Sequence, residues 1–582
     1  MKTRKHQSRK AVPAAAPAPP RTGTPAWLYA AAAAAGLLLV FWAYAPALHG
    51  PFMFDDTVLP FALPGFAQPL YYWIKGVRPV LMFTYWVNAR LSGDDPFSYH
   101  VVNVIIHFIT SGLVFLMVRR LVDWAQLAPA RRNLLAAFAA AVFLLHPVQT
   151  EAVAYLAGRS EGLSVMLAFA AFTVFLYREK TAATWPVVAA VLLLFGAALL
   201  AKEHTAVLPA LFLLTDYWWN PGFGFKGIRA NWKLYAPMAL GAVAGVFSFR
   251  QLLFGAGTAG FAMKDLTWYQ YFFTQCRGLF VYIATFLAPV NLTLDWDFPI
   301  SKTVFDHGAI AGLLALVAMA LLAWRYRRRF PLASYGFFVY LLLMAPTSSI
   351  LPIKDPIAER RLYFSMIGLL LIAVDGLGRL KIGRNALAAG CAVMALVALG
   401  LTRARAAVWS DSVALWQDTV QKSPDKARDR FQLGFAYYTA GRGDLAIPEF
   451  EKTEQLEKGK PDAGLLLDWG LALIQLNQPD AALAKLRQAA LLDPSAGAYT
   501  NIAGIYASQG RYAEALDALA TAAKLDPNFA GLYLYRGKVR LKLNQPAEAV
   551  ADYEHALALQ PGMQEARHDL AIAQAMLRGG RR

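Results

Sequence analysis

The stretch DPSAGAYTNIAGIYASQGRYAEALDALATAAKLDP, Asp493 to Pro527, decides how the last third of this 582-residue chain is built. It opens and closes on the same Asp-Pro break. Between the breaks lie two short helical patterns, with Ala503 and Ala515 twelve residues apart. Proline cannot continue a helix, because its ring clashes with an earlier carbonyl and it has no N–H to give. The breaks therefore bound a helix pair. Moving outward, the punctuation recurs at Ser423-Pro424, Lys460-Pro461 and Gln560-Pro561, and the last three intervals are 33, 33 and 34 residues. The twelve-residue spacing of small residues recurs as well, in Gly434 with Ala446, Gly470 with Ala482, and Gly537 with Ala549. Small side chains there let the two helices of a unit approach closely. Units that cannot bury a face alone stack into an α-solenoid.

That period is the tetratricopeptide period. Tyr437, Tyr506, Tyr512 and Tyr553 fall where it wants aromatic filler, and about four repeats over 431–575 predict an inner groove able to bind a peptide or protein. Upstream the composition changes. Over the whole chain 57% of residues are hydrophobic, 13% aromatic and only 16% charged, against roughly 25% charged in soluble domains. The apolar excess lies before residue 404 and predicts a polytopic transmembrane helical domain, so the whole is expected to be all-α. An uncleaved first span over Trp27–Leu48 is followed by eleven further apolar segments between residues 99 and 402. The expected division is a disordered basic tail over 1–25, a multispan domain over 26–403, a connecting helix over 404–430, the repeats, and a basic tail over 576–582.

Charge sets the orientation. The net charge of +18 divides into 35 Lys and Arg against 17 Asp and Glu up to residue 403, and 21 against 21 beyond it. The excess belongs to the apolar part, as cytoplasmic loops require, which disfavours nucleic-acid binding. Arg119, Arg120, Arg131, Arg132, Arg178, Lys180, Arg325 to Arg329, Arg379, Lys381 and Arg384 are expected inside. Twelve full crossings would put Arg325 to Arg329 outside, so one segment between 184 and 308 is expected not to cross. Eleven or thirteen crossings then place the repeats outside. Cys276 and Cys391 lie in apolar runs and are read as packing, not as a disulfide framework or a zinc site.

Acids are costly in such a chain and therefore informative. Asp55-Asp56 follow the first span; adjacent carboxylates in a dry site do not both ionise cheaply, so one can act as a base near neutrality, the alternative being a loop turn or helix cap. His146, Glu151, Arg159 and Glu161 fall within sixteen residues of a membrane boundary, where snorkelling interface residues are the plainer reading. Lys202-Glu203-His204 interrupts an apolar stretch, as a hairpin or as a phosphate-binding lysine. Glu359-Arg360-Arg361 opens a span on the outer side, where two arginines suggest an anionic partner and an internal pair with Glu359 or Asp355 is the alternative. Arg78-Pro79 lies in the first external loop. Asp94-Asp95-Pro96 and Asp295-Trp296-Asp297 read as turns and caps, and Gly255 to Gly260 as a flexible connector.

Taken together, Asp55-Asp56, Arg78-Pro79-Val80, Tyr99 to His107, His146 to Val153, Gly158-Arg159-Ser160-Glu161, Lys202-Glu203 and Glu359 to Tyr363 resemble, in order, the transmembrane and tetratricopeptide repeat proteins. Arg403 to Trp409, Leu415-Trp416 and Ser423-Pro424 resemble that family's join between membrane part and repeats. The family is similar to C-type glycosyltransferases, with an external site, an acidic pair in the first external loop and a lipid-phosphate sugar donor; its eukaryotic members are protein O-mannosyltransferases. The resemblance implies Asp55 or Asp56 as the catalytic carboxylate. The family often has Gly-Arg-Ala-Asp where this chain has Gly-Arg-Ser-Glu, which keeps the charge and lengthens its reach. The short Ala/Pro tail and compact loops look bacterial, which favours an inner membrane and an undecaprenyl carrier.

The expected activity is transfer of a sugar such as mannose from a polyprenyl phosphate to a hydroxyl of an external protein or glycan. Arg360, Arg361, Lys202 and Arg159 would face the leaving phosphate, with Arg78, His146, Glu151, Glu161, Glu203 and Glu359 in support. No nucleotide and no obligatory metal is implied, although the acids leave room for a divalent cation. The repeats would hold the acceptor or a protein partner. The alternative is a non-catalytic membrane-anchored scaffold for envelope protein assembly.

Overall fold

The computed structural model describes residues 25–62, 68–248, 254 and 259–579. The tail before residue 25, residues 255–258 of the Gly-rich connector and residues 580–582 lie outside the described residues. The fold is all-α: among the described residues there is no strand, only one isolated bridge between Ala259 and Ile353.

Among the described residues six helices are long and apolar enough to cross a membrane: Ala26–Ala47, Pro96–Trp124, Leu156–Leu176, Asp306–Arg325, Glu359–Arg379 and Arg384–Val408. A seventh span exists if Pro129–Leu145 and Pro147–Ala154, bent by 49°, count as one. The chain is an integral membrane protein. Fewer full-length spans are present than apolar segments in the sequence, because helices such as Trp185–Ala201 and Pro331–Met344 have only 17 and 14 residues. At 1.5 Å per residue these reach at most about 26 Å, short of a hydrocarbon core of roughly 30 Å.

The two ends of this bundle differ in chemistry. At one end Arg120 Nε donates to Leu176 O at 3.1 Å and Arg131 Nη1 to Leu380 O at 2.9 Å. There too Trp218 Nε1 donates to Pro331 O at 3.1 Å, and Arg379 lies over the Phe330 ring. These contacts tie the connections near residues 120–131, 176, 330 and 380 together and bring Arg120, Arg131 and Arg379 to one face. The opposite end gathers the loop after the first helix, the bend at 145–159, the break at 202–207 and the segments at 287–301 and 345–361. Helix Trp268–Leu287 runs along this end. Its Tyr271 OH donates to Thr347 O, its Gln275 Nε2 to Pro356 O, its Tyr282 OH accepts from Ala358 N, and Phe286 O bonds the His146 ring.

The repeats follow as helix pairs Ala427–Thr439 with Gly443–Leu456, Ala463–Gln475 with Pro479–Leu492, Ala496–Ser508 with Tyr512–Leu525, and Ala530–Lys542 with Pro546–Leu559, closed by Gln564–Gly579. A methyl added at Gly434, Gly470 or Gly537 would stand 2.6 to 2.7 Å from Phe450, Leu486 or Tyr553, so the close approach requires glycine. The opposing Ala446, Ala482 and Ala549 are fully buried. Each inter-helix turn needs one left-handed residue, supplied by Gly441, Asn477, Gly510 and Asn544. The boundaries differ from the sequence division. Helix Arg384–Val408 passes through residue 403 unbroken, since its Ala-rich end carries no breaker; Asp411 then caps Ser412–Lys422. The first repeat helix starts at Ala427, and the last helix continues to Gly579 instead of giving way to a tail at 576.

Candidate active site

The acidic pair sits in a short 3-10 turn, Phe54–Val58, and its members are not equivalent. Asp56 is buried. Its Oδ2 accepts from Met53 N at 3.2 Å and its Oδ1 from Ala157 N at 2.8 Å, which ties the turn to the bend at 145–159. Burial pushes its carboxyl up to about 7 against these two hydrogen bonds, and neighbouring Asp55 adds to the rise. Asp55 is exposed, and its backbone N–H donates to the Tyr155 hydroxyl oxygen at 3.0 Å. Phe54, immediately before the pair, holds a left-handed φ of 52°. Such a conformation persists in a bulky residue only where the surroundings over-determine it. They do so here: the Phe54 ring packs on Tyr155 and Trp416, and Tyr155 packs on Trp409. A methyl on Gly50 would lie 2.7 Å from Trp409 O. The join that leads to the repeats therefore clamps the acidic loop.

Around this loop stand three ion pairs. Arg78 reaches Glu203 through two hydrogen bonds of 2.8 Å; Lys202 Nζ donates to Glu161 at 2.6 Å; Arg360 donates to Glu151 from its side chain and, at 2.7 Å, from its backbone N–H. The acids Glu151 and Glu161 are buried, whereas the side chains of Arg78, Lys202 and Arg360 are 39%, 18% and 34% exposed. Each cation is thus held by a carboxylate and keeps part of its side chain exposed. Burial lowers the Lys202 ammonium; Glu161 opposes the shift, and Arg78 and Arg360 are close enough to add to it. The Glu161 carboxylate lies against both Lys202 and, at 3.1 Å, the His204 Nε2.

Other sequence-singled residues are sealed inside the protein. Arg159 spends its guanidinium on Asn103 Oδ1, Asn88 Oδ1 and Tyr99 O and packs on the Tyr85 ring, so it is a buried clamp and not a ligand contact. Arg361 is likewise consumed, by Tyr271 OH and the carbonyls of Pro356 and Asp355. His146 forms the bend: Nδ1 accepts from Val148 N, and Nε2 bonds Phe286 O. Glu359 is buried, accepting from Thr293 N at 2.5 Å, and pairs with none of the three cations. Asp56 is a positioning residue by the same argument. Asp95 caps helix Pro96–Trp124 by accepting from Phe97 N, as its sequence setting suggests. Among the described residues no group of three His, Cys, Asp or Glu side chains is arranged to hold a metal ion.

Two contributions escape sequence reading. Tyr155 and His204 join the site although neither has a diagnostic spacing. Asp295 is no turn residue: its buried carboxylate takes Lys426 Nζ and, from Arg428, Nε at 2.8 Å and Nη2, while Arg428 also reaches Asp355 at 2.8 Å. Burial works against the Asp295 charge, yet Arg428 and Lys426 hold its carboxyl below the usual range; burial and the Asp295 charge push the adjacent Asp429 up. Ser423 Oγ donates to Asp295 O and Lys422 Nζ to Leu292 O, which completes a joint between membrane part and repeats.

Fold and site together define an integral membrane protein with tetratricopeptide repeats docked on the end that carries its charged crown. Comparison with known proteins agrees: family models described as TPR repeat and tetratricopeptide repeat match residues 503–544 and 530–562. The chain is 24% identical over 557 residues to human "Protein O-mannosyl-transferase TMTC3", covering 87% of this chain and 60% of that protein. It is 25% identical over 371 residues to the Caenorhabditis elegans "Protein O-mannosyl-transferase F38B6.6", covering 62% and 51%. A 126-residue stretch is 36% identical to Drosophila melanogaster "Protein O-mannosyl-transferase Tmtc1", covering 22% and 14%. The chain thus spans 60% and 51% of the length of the human and Caenorhabditis elegans relatives. Among solved structures, the repeats align with "YrrB: a TPR protein with an unusual peptide-binding site", 24% identical over 27% of this chain and 80% of that one, at a TM-score of 0.23.

Proposed function

We propose that this chain is a membrane mannosyltransferase of the transmembrane and tetratricopeptide repeat family, moving the sugar from a polyprenyl phosphate to a hydroxyl of a protein acceptor. The observation that carries the reading is the exposed Asp55, whose backbone is held by its N–H bond to the Tyr155 hydroxyl and by the anchored Asp56, at the same end as the partly exposed Arg360 and Lys202. The relatives' names supply the sugar and the acceptor class. The acceptor oxygen attacks the anomeric carbon as its proton passes to Asp55, and the bond from that carbon to the phosphate oxygen breaks. The charge developing on the polyprenyl phosphate falls to Arg360 and Lys202, whose carboxylate partners hold them in place.

The donor's apolar tail stays in lipid and its phosphate at the bundle's end, which explains a charged crown on a large helical body. By the positive-inside rule the basic end is cytoplasmic, and the crown and repeats are external. In a bacterial inner membrane the carrier is undecaprenyl phosphate. The test supplies purified wild-type chain with radiolabelled mannose on a polyprenyl phosphate or on GDP, together with a serine- and threonine-rich protein. Transfer from the lipid donor alone is expected. Transfer from GDP-mannose alone, or from neither donor under conditions where the protein remains folded, would overturn the reading.

A further inference from the structure

The groove-side face of the first two repeats presents rings and an acid without a counterion. On helix Ala427–Thr439, Phe431, Phe435 and Tyr438 fall at i, i+4 and i+7, with ring centroids 6.5 and 6.2 Å apart, and Phe435 is 37% exposed. On the next first-position helix, Ala463–Gln475, Leu467 and Ile474 hold the corresponding places, and Ile474 is 40% exposed. Beside Leu467 stands Asp468, half-buried and with no hydrogen bond or ion pair to any described residue. Asp462 and Tyr438 are the titratable groups that face it, and neither is a cation. On the same helix Gly464 and Leu467 line a cavity of about 110 Å³ that Ala489, Asp493 and Ser495 close from the neighbouring helices.

We infer that this face binds a polypeptide segment that sets a lysine or arginine beside an apolar side chain. A carboxyl half withdrawn from water without a partner is costly, and a basic side chain offers it both charge and donors. The rings of Phe435 and Tyr438 add a second attraction for the same cation, while the apolar face that carries Leu467 and Ile474 meets the apolar neighbour. The inference names the acceptor or partner class for the proposed transferase and in that sense rests on it, but binding is measured without sugar transfer. Burial, aided by Asp462, raises the Asp468 carboxyl to about 7, so the charged form that attracts the peptide gains ground from pH 6 to pH 8.

The experiment uses the full chain in dodecyl maltoside, a neutral detergent, and fluorescence anisotropy of two labelled decapeptides that differ only in a central Lys-Leu or Glu-Leu. The lysine peptide should bind at least tenfold more tightly than the glutamate peptide, and more tightly at pH 8 than at pH 6. Asp468→Asn should abolish the preference, and Phe435→Ala should weaken the lysine peptide about tenfold. Unchanged thermal unfolding of both variants excludes loss of fold as the cause. Equal affinities, a preference for glutamate, preference retained in Asp468→Asn, or no binding of either peptide would each overturn the inference. Asp55→Asn should bind the lysine peptide as the wild type does, so a failure of the transferase reading leaves this result intact.

Discussion

Adjacent identical residues acquire different tasks from one hydrogen-bond pattern. Asp56 gives both oxygens to backbone N–H groups and is buried, whereas Asp55 keeps its carboxylate in the open. Asp55→Asn should therefore leave thermal stability unchanged. Asp56→Asn replaces one acceptor by a donor facing an N–H and should cost about 1–3 kcal/mol, read by denaturation in detergent. The pH dependence has a definite sign: the folded-state carboxyl of Asp56 titrates at about 7, above its unfolded value. Between roughly pH 4 and 7 the folded state binds more protons, so this group's contribution to stability falls as pH rises and then levels off. In Asp56→Asn that slope should be absent. The pair itself was visible in the sequence. Its division of labour was not, because it depends on Ala157, a hundred residues away, and no local pattern encodes such a contact. Arg159 and Arg361 show the same limit: their positions in charged motifs pointed to a ligand, and their partners turn them inward.

Element by element, legibility follows periodicity. The repeats were legible because each close approach falls on glycine or alanine at a fixed spacing, whereas their outer bounds, Ala427 and Gly579, carry no such mark. Gly470→Ala forces a methyl to 2.7 Å from Leu486 and should destabilise the solenoid by about 1–3 kcal/mol, whereas Gly562→Ala meets nothing within 4 Å and should leave melting unchanged. Circular dichroism melts of the two variants make the comparison. The membrane part was harder to read, because apolarity alone does not distinguish a crossing helix from one lying across an end. Trp268–Leu287 shows its course only through contacts with residues 146, 347, 356 and 358.

Across the whole molecule, the repeats are held against the crown at one joint, and its acid, Asp295, reads as a turn in isolation because its partners Lys426 and Arg428 lie more than 130 residues later. Asp295→Ala leaves two cations with one fewer carboxylate; hydrogen exchange should rise over 422–430 while the later repeats keep their protection, with a cost of roughly 1.5–3 kcal/mol. Trp409 and Trp416 pack against Tyr155 and Phe54, so the same joint bears on the acidic loop. The central claim is that this one end of the bundle carries a transferase site built on Asp55. It is tested most directly by the single-turnover rate of mannose transfer from a polyprenyl phosphate in proteoliposomes of wild type and Asp55→Asn, with matched melting curves. The account predicts a loss of roughly 10²–10⁴-fold in a variant that melts like the wild type. Equal rates in the two proteins would contradict it.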